Sequence, residues 1–192
     1  MNLEGRYISL EPLQSAHRET IRALARDERI WEYTRGLLLN DTFNSQFDRY
    51  FDTALELVAK GGQSYVIRLK ENGDIIGMTR IYDVEPKDKR LAIGYTWYVP
   101  GVWGMAYNKD CKLVLLQYAF ETLQYTRVEF FVAHQNIRSQ KAVEKIGGVK
   151  EGVLRNHGYR NDGSVRHTVV YSIISDEWPE KKERLVQLIQ SS

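Results

Sequence analysis

The sequence predicts a mixed α/β fold in which one mostly antiparallel sheet of about seven strands carries helices on both faces. Extended segments of period two alternate along the chain with segments of helical period. An Asn72-Gly73 pair stands between two of the extended runs, where it signals a hairpin. No linker, repeat or low-complexity stretch divides the chain, and its four prolines are scattered at 12, 86, 100 and 179. The 192 residues, 43% of them apolar, suffice for one core without disulfides or a metal, so residues 1–192 are expected to form a single domain.

Taken in order, Arg6 to Leu13 alternates Tyr7 and Ser9 with Ile8 and Leu10 and reads as a first strand. Gln14 to Asp27 has helical spacing at His17, Ile21 and Leu24. Asn40-Asp41-Thr42 supplies capping chemistry for a long aromatic helix through Phe43, Phe47, Tyr50, Phe51, Leu55 and Val58, which Gly61-Gly62 stops. Three extended segments follow, Ser64 to Lys70, Asp74 to Val84 and Arg90 to Val99, and together they predict a central antiparallel meander. In the third, strict alternation places Leu91, Ile93, Tyr95, Trp97 and Val99 on one face against Ala92, Gly94, Thr96 and Tyr98 on the other. Asn108 to Leu123 reads as a helix, Arg127 to His134 as a strand, and Asn136 to Ile146 as a helix ended by Gly147-Gly148. Val149 to Ile174 reads as a hairpin turned at Asn161-Asp162-Gly163, and an amphipathic helix over about 176–190 closes the chain with Trp178, Leu185, Leu188 and Ile189 as its stripe.

The charge balance narrows the function. With 27 Lys and Arg against 25 Asp and Glu the net charge is +2, which excludes a nucleic-acid binder working by bulk charge and leaves only local phosphate recognition. The single Cys111 allows neither an internal disulfide nor a CxxC site. The N-terminus lacks a leader's apolar region and no apolar run reaches the ~18 residues of a membrane span, so the expectation is a soluble, cytoplasmic protein.

One stretch points to chemistry. Trp97 to Asn108 runs from a strand through a loop of small residues, Gly101, Gly104 and Ala106, into a helix start. Unpaired N–H groups and the positive dipole end make such a start a phosphate site when the loop permits close approach, although an ordinary strand-to-helix connection can share the pattern. Neither GxGxxG nor GxxxxGK[ST] occurs. Cys111, one turn into this helix, is expected to be a buried structural thiol. The four histidines, 17, 134, 157 and 167, have no metal-type spacing, and His134 alone falls beside the stretch that carries Asn136.

Six blocks in this order resemble the GNAT acyl-CoA-dependent N-acyltransferases, in particular the RimJ/RimL-like branch of ribosomal-protein N-terminal acetyltransferases. They are Ile93-Gly94-Tyr95, Trp103-Gly104-Met105-Ala106-Tyr107-Asn108, Arg127-Val128-Glu129, Asn136-Ile137-Arg138-Ser139, Glu144-Lys145-Ile146-Gly147 and Glu151-Gly152-Val153-Leu154-Arg155. The resemblance runs from about Leu3 to Ile174. It implies a single GNAT domain whose sheet splays between its fourth and fifth strands, Arg90 to Val99 and Arg127 to His134, to admit acetyl-CoA. By that likeness backbone groups of Trp97, Tyr98 and Val99 pair with the pantetheine arm, and N–H groups from Trp103, Gly104, Met105, Ala106 and Tyr107 cradle the pyrophosphate. Asn108, Asn136 and Ser139 fall on contact positions, and Lys109, Lys141 and Lys145 are the cations at hand to neutralise the 3′-phosphate, although surface lysines on helices are by default simply solvated.

The implied reaction is direct acetyl transfer to a primary amine, and it needs an oxyanion donor, a proton for the departing thiolate and a base. A backbone N–H near Tyr98 or Val99 suits the first, and Ser139 the second, with Asn136 placing substrate or cofactor; capping of the following helix is the competing role for that pair. Relatives carry an acid where this chain has Ala92. Glu129, Asp83 and Glu85 are the substitutes at hand, and ordered water beside Thr96 and Tyr98 is another, since an α-amino group with a pKa near 8 is partly neutral already. The set Trp31, Tyr33, Phe43, Phe47, Tyr50 and Phe51, with Glu28, Glu32, Asp41 and Asp48, sits where relatives build the acceptor side, although helix-face packing explains most of these aromatics. The acceptor is then a protein N-terminal amine or a small amine such as an amino acid derivative, polyamine or antibiotic. A catalytically reduced CoA-binding sensor or scaffold is the rival. No nucleic acid and no membrane are expected as partners, and a homodimer is.

Overall fold

A computed structural model describes residues 1–33, 37–160 and 163–191. The sheet has eight strands in the order β1-β2-β3-β4-β5-β6-β8-β7. They are β1 (Leu3–Glu4), β2 (Ile8–Pro12), β3 (Gln63–Leu69), β4 (Ile75–Glu85), β5 (Arg90–Tyr98), β6 (Arg127–Ala133), β7 (Val149–Tyr159) and β8 (Val165–Ile174). The count exceeds expectation by one because Leu3 and Glu4 fold back onto Leu10 and Ser9, a two-residue pairing too short to leave a periodic trace. The meander β3-β4-β5 forms as expected, and the hairpin β7-β8 closes the far edge. Of the residues expected to turn that hairpin, Asn161 and Asp162 lie outside the described residues, while Gly163 adopts a left-handed φ of 80°.

Helices α1 (Arg18–Leu24) and α2 (Phe43–Glu56) cover one face of the sheet, and α3 (Tyr107–Gln117), α4 (Ile137–Lys145) and α5 (Trp178–Gln190) the other. Two apolar cores result. Phe43, Phe47, Phe51, Val66 and Met78 fill the first; Leu115, Val128, Tyr171, Trp178 and Leu185 belong to the second. Gly61 ends the turn after α2 at φ 76°, as its position predicts. α3 is tied to the sheet margin by Asp110, whose buried carboxylate accepts the backbone N–H groups of Arg6, Tyr7 and Ile8 at 3.0, 2.7 and 3.2 Å.

Two features of β5 make the site. β5 and β6 form the parallel pair, and it holds for only three residues, Arg90 with Arg127, Leu91 with Val128 and Ala92 with Glu129. Beyond these the strands part, so the sheet is forked where the splay was expected. The alternation expected along β5, however, fails midway. Tyr95 takes a φ of 50°, and the β4 register slips between Met78–Trp97 and Arg80–Gly94, the mark of a bulge. The extra residue reverses the phase: Leu91 and Ile93 join the α3-side core, but Trp97 faces the α2 side and Tyr98 the α3 side. Strict period two counts residues and has no means of registering one that is inserted.

Candidate active site

The fork is flanked by the two features a phosphate-bearing ligand needs. On the β5 side, Pro100–Val102 makes a tight turn, Gly104 turns left-handed at φ 85° with open space where a Cβ would stand, and α3 begins at Tyr107 with no side-chain cap. The helix's first internal hydrogen bond is donated by Asp110 N–H to the Ala106 carbonyl, which leaves the N–H groups of Tyr107 and Asn108 without intrahelical acceptors. On the β6 side, α4 starts at Asn136. Its buried side chain accepts the Ser139 N–H at 3.0 Å, so Asn136 is an N-cap whose oxygen is engaged. The Ser139 hydroxyl has no hydrogen-bond partner among the described residues. Arg138 bridges the two sides, its guanidinium 3.9 Å from the centre of the Trp103 ring.

The β5 backbone narrows which groups face the opening. The Val99 N–H donates to the Ile76 carbonyl of β4 at 2.8 Å and is therefore spent. Alternation turns the N–H and C=O of Tyr98 to the opposite, forked edge, where its carbonyl accepts the Trp103 indole N–H at 2.9 Å. Of the two candidate oxyanion donors, the Tyr98 N–H has the right edge. Trp97 and Tyr98 themselves are buried, Met105 is exposed and Ala106 is buried.

Charge gathers at the same place. Lys109 on α3 is depressed below the ordinary lysine range, first by burial and then by repulsion from Lys145 on α4, so the two helices present cations within each other's field. Lys141 and Lys145 lie one turn apart on exposed α4. Beneath the bulge, Lys112 is buried in α3 and donates to the Thr96 hydroxyl at 2.6 Å, which lies 2.8 Å from that of Thr79; burial lowers its pKa as well.

The acids named as substitute bases stand at the closed end of the fork. Glu129 is buried between Arg90 at 3.3 Å and Arg127 at 3.0 Å, while Asp83 and Glu85 are exposed near the β4–β5 turn. Ala92 is fully buried. Cys111 is buried too, and burial raises its pKa, which keeps it a thiol. The histidines, widely spaced in the chain, are partly reunited by the sheet: the His134 and His167 rings meet at 4.8 Å, and His167 Nδ1 accepts the Asn156 N–H. No group of three or more metal-ligating side chains occurs among the described residues.

On the acceptor side, Phe43, Phe47 and Phe51 are core, Trp31 donates its indole N–H to the Ala25 carbonyl, and Asp48 is engaged by Arg18 and Arg22. Glu28, Glu32 and Asp41 are exposed. Half-buried Tyr50 accepts the Trp97 indole N–H at 3.1 Å, and Tyr33 is raised above the ordinary tyrosine range, chiefly by its hydrogen bond with Glu32. Sequence reasoning passed over Arg80 and Lys112. The available signal was a charge inside an otherwise apolar stretch, Ile75 to Ile81 in one case and Cys111 to Leu116 in the other.

The model of the acetyltransferase (GNAT) domain matches residues 8–149. The Bacillus subtilis protein named uncharacterized N-acetyltransferase YoaA is 30% identical over 115 residues, 60% of this chain and 64% of that one. The protein of the same organism named "putative ribosomal N-acetyltransferase YdaF" is 31% identical over 111 residues, 58% of this chain and 60% of that one. The matches thus span less than two thirds of these curated relatives' length. A crystal structure described as a "putative acetyltransferase" from T. thermophilus superimposes with a TM-score of 0.83 at 32% identity, covering 97% of this chain and 95% of its own. Mycobacterium smegmatis RimJ, solved in complex with CoA-disulfide, shares the fold with a TM-score of 0.80 at 20% identity, covering 98% and 93%. The forked sheet, the uncapped helix beside it and a family model that takes in most of the chain agree, and the chain belongs to the GNAT acetyltransferase family.

Proposed function

We propose that the chain, acting as one catalytic domain in the cytoplasm, transfers an acetyl group from acetyl-CoA directly to a primary amine, with a protein N-terminal amine as acceptor in the manner of the RimJ/RimL-like branch. The observation that carries this reading is the fork between β5 and β6 opening beside the uncapped start of α3. The residues fit the donor. The N–H groups of Tyr107 and Asn108 at the uncapped start of α3 and the open Gly104 turn suit a pyrophosphate, and the cations Lys109, Lys141 and Lys145 suit the 3′-phosphate. The outward edge of Tyr98 and its neighbours Trp97 and Val99 receives the pantetheine arm. RimJ, which has the same fold, was solved with CoA-disulfide, and that supports the assignment.

In the reaction the Tyr98 N–H, fixed by the strand, donates to the oxygen on which charge develops. The unengaged Ser139 hydroxyl gives its proton to the departing thiolate and is reprotonated by the water that receives the amine's proton. Asn136 positions the acceptor through its Nδ2, since its oxygen caps α4. The candidate bases Glu129, Asp83 and Glu85 all stand at the closed end, so bulk-connected water takes the proton from an amine that is partly neutral near pH 8. The buried, protonated Cys111 supports direct transfer over a covalent acyl-enzyme. A second copy of the chain pairs along β7, an edge strand exposed along most of its length with Val149, Val153, Leu154 and Tyr159 open to solvent.

Calorimetric titration with acetyl-CoA, combined with thiol release on N-terminal peptides and small amines, tests the reading. Micromolar binding with amine-dependent thiol release that collapses in Ser139→Ala is expected. Binding without turnover favours the sensor or scaffold alternative, and absence of binding overturns the transferase.

A further inference from the structure

Arg80 lies on the acceptor side of the fork with its charge uncompensated. It sits in β4 opposite Gly94 of β5, two residues past the last β5–β6 pair, and is 3% exposed. Its Nη2 donates to the Tyr50 carbonyl at 3.2 Å, its Nε has no hydrogen-bond partner, and among the described residues no carboxylate pairs with it. The Tyr50 and Tyr95 rings lie over the guanidinium carbon at 4.4 and 4.6 Å. Those rings favour a cation, yet they supply neither the hydrogen-bond acceptors nor the countercharge that a buried guanidinium ordinarily finds. Tyr95 is the outer of the two. It is 56% exposed, stands on the left-handed bulge residue and packs edge-on against Tyr82 at 5.0 Å.

We propose that Arg80 is the carboxylate-binding residue of the acceptor site, so that the preferred acceptors are amines that also carry a carboxylate, reached when the Tyr95 ring swings aside. This inference rests on the acetyl-transfer reading for the identity of the second substrate. A planar guanidinium with free donors matches a carboxylate in a way that a lysine ammonium does not. The carboxylate has two sources, a free amino acid or the acidic first side chain of a peptide, and both place it within a few bonds of the reacting amine.

The test separates the two readings by measuring binding as well as turnover. Free amino acids are compared with their amides, and peptides beginning with Asp or Glu with peptides beginning with Asn or Gln, on wild type, Arg80→Met and Arg80→Lys in the presence of acetyl-CoA. For wild type the acid is expected to bind about tenfold or more tightly than its amide in at least one series, and that series names the source. In Arg80→Met the acid-to-amide ratio should fall to near one with acetyl-CoA affinity within about twofold of wild type, and Arg80→Lys should recover part of it. Discrimination without any thiol release would keep the carboxylate site and reject the transferase. A wild-type ratio near one in both series overturns the proposal whatever the variants do, and so does a variant that loses acid and amide equally.

Discussion

Removing the Asp110 carboxylate tests how the start of α3 is held. Asp110 is 1% exposed and serves three backbone donors at once: Arg6 on Oδ1, and Tyr7 and Ile8 sharing Oδ2. In Asp110→Ala the buried Ile8 N–H loses its partner at a cost of about 1–3 kcal/mol, and the part-buried pair, which water can reach, adds about 1 kcal/mol each. Loss of an acid in the first turn of a helix adds about 0.3–1 kcal/mol. The total is about 3–6 kcal/mol, a large share of the ~5–15 kcal/mol that holds a domain together. Asp110→Asn should lose nearly as much, because either amide orientation aims a donor at a donor. Gly5→Ala probes the same contact from the other side, since its Cβ would stand 2.5 Å from Oδ2 and 2.8 Å from the carboxyl carbon. Denaturant unfolding followed by circular dichroism measures each loss, and in the Asp110→Ala background Gly5→Ala should cost far less than alone. A loss below about 1 kcal/mol for Asp110→Ala, or strict additivity of the two changes, would refute the account.

Three further predictions concern the site and its frame. Lys112→Met fills the buried position without a charge. Because burial lowers the folded-state pKa of Lys112, the penalty on wild type is full at low pH and fades as pH rises from that depressed value toward the ordinary 10.5, so the variant's melting-temperature advantage should shrink between neutral and alkaline pH; a pH-independent difference would mean that the amine does not titrate this way. Asn136→Ala should destabilise by about 1 kcal/mol through the lost cap, whereas Asn136→Asp keeps the acceptor and stays close to wild type in stability. If both variants lower turnover alike while binding acetyl-CoA, Nδ2 is the group used; wild-type turnover in Asn136→Asp would rule that out. Glu151 is held at about 2 by Arg127 and Ser172, below its ordinary 4.5, so its contribution is present above pH 4.5 and lost as pH falls toward 2. Its partial exposure limits that contribution to under about 1 kcal/mol, and Glu151→Gln should flatten the acid limb of a stability profile by no more than that.

What the sequence made legible was whatever local chemistry writes. The Asn72-Gly73 turn, the Gly61 and Gly147 stops, and the apolar stripes of α2 and α5 each report on a few neighbouring residues, and each element stands where those signals put it. Partners across the sheet leave no such trace. Arg80 and Lys112 read as charges misplaced in apolar runs until the fold sets Tyr50 and Tyr95 against the one and Thr96 against the other. The β5 bulge shows why the site was the hardest part to read. One inserted residue sends Tyr95 to the α2 side, over Arg80, and Thr96 to the α3 side, onto Lys112. Regular alternation would have put Tyr95 with Leu91 and Ile93 in the α3-side core and left Arg80 without its outer ring. The residue that breaks the pattern therefore links the side proposed for the donor to the side proposed for the acceptor, at the point where β5 leaves β6. Deleting Tyr95 closes the bulge and leaves Trp97 opposite Met78 and Gly94 opposite Arg80, so the sheet and the outward edge of Tyr98 should be kept while the ring over Arg80 is lost; acetyl transfer that survives with altered acceptor preference is expected, and loss of acetyl-CoA binding would refute this account of the bulge.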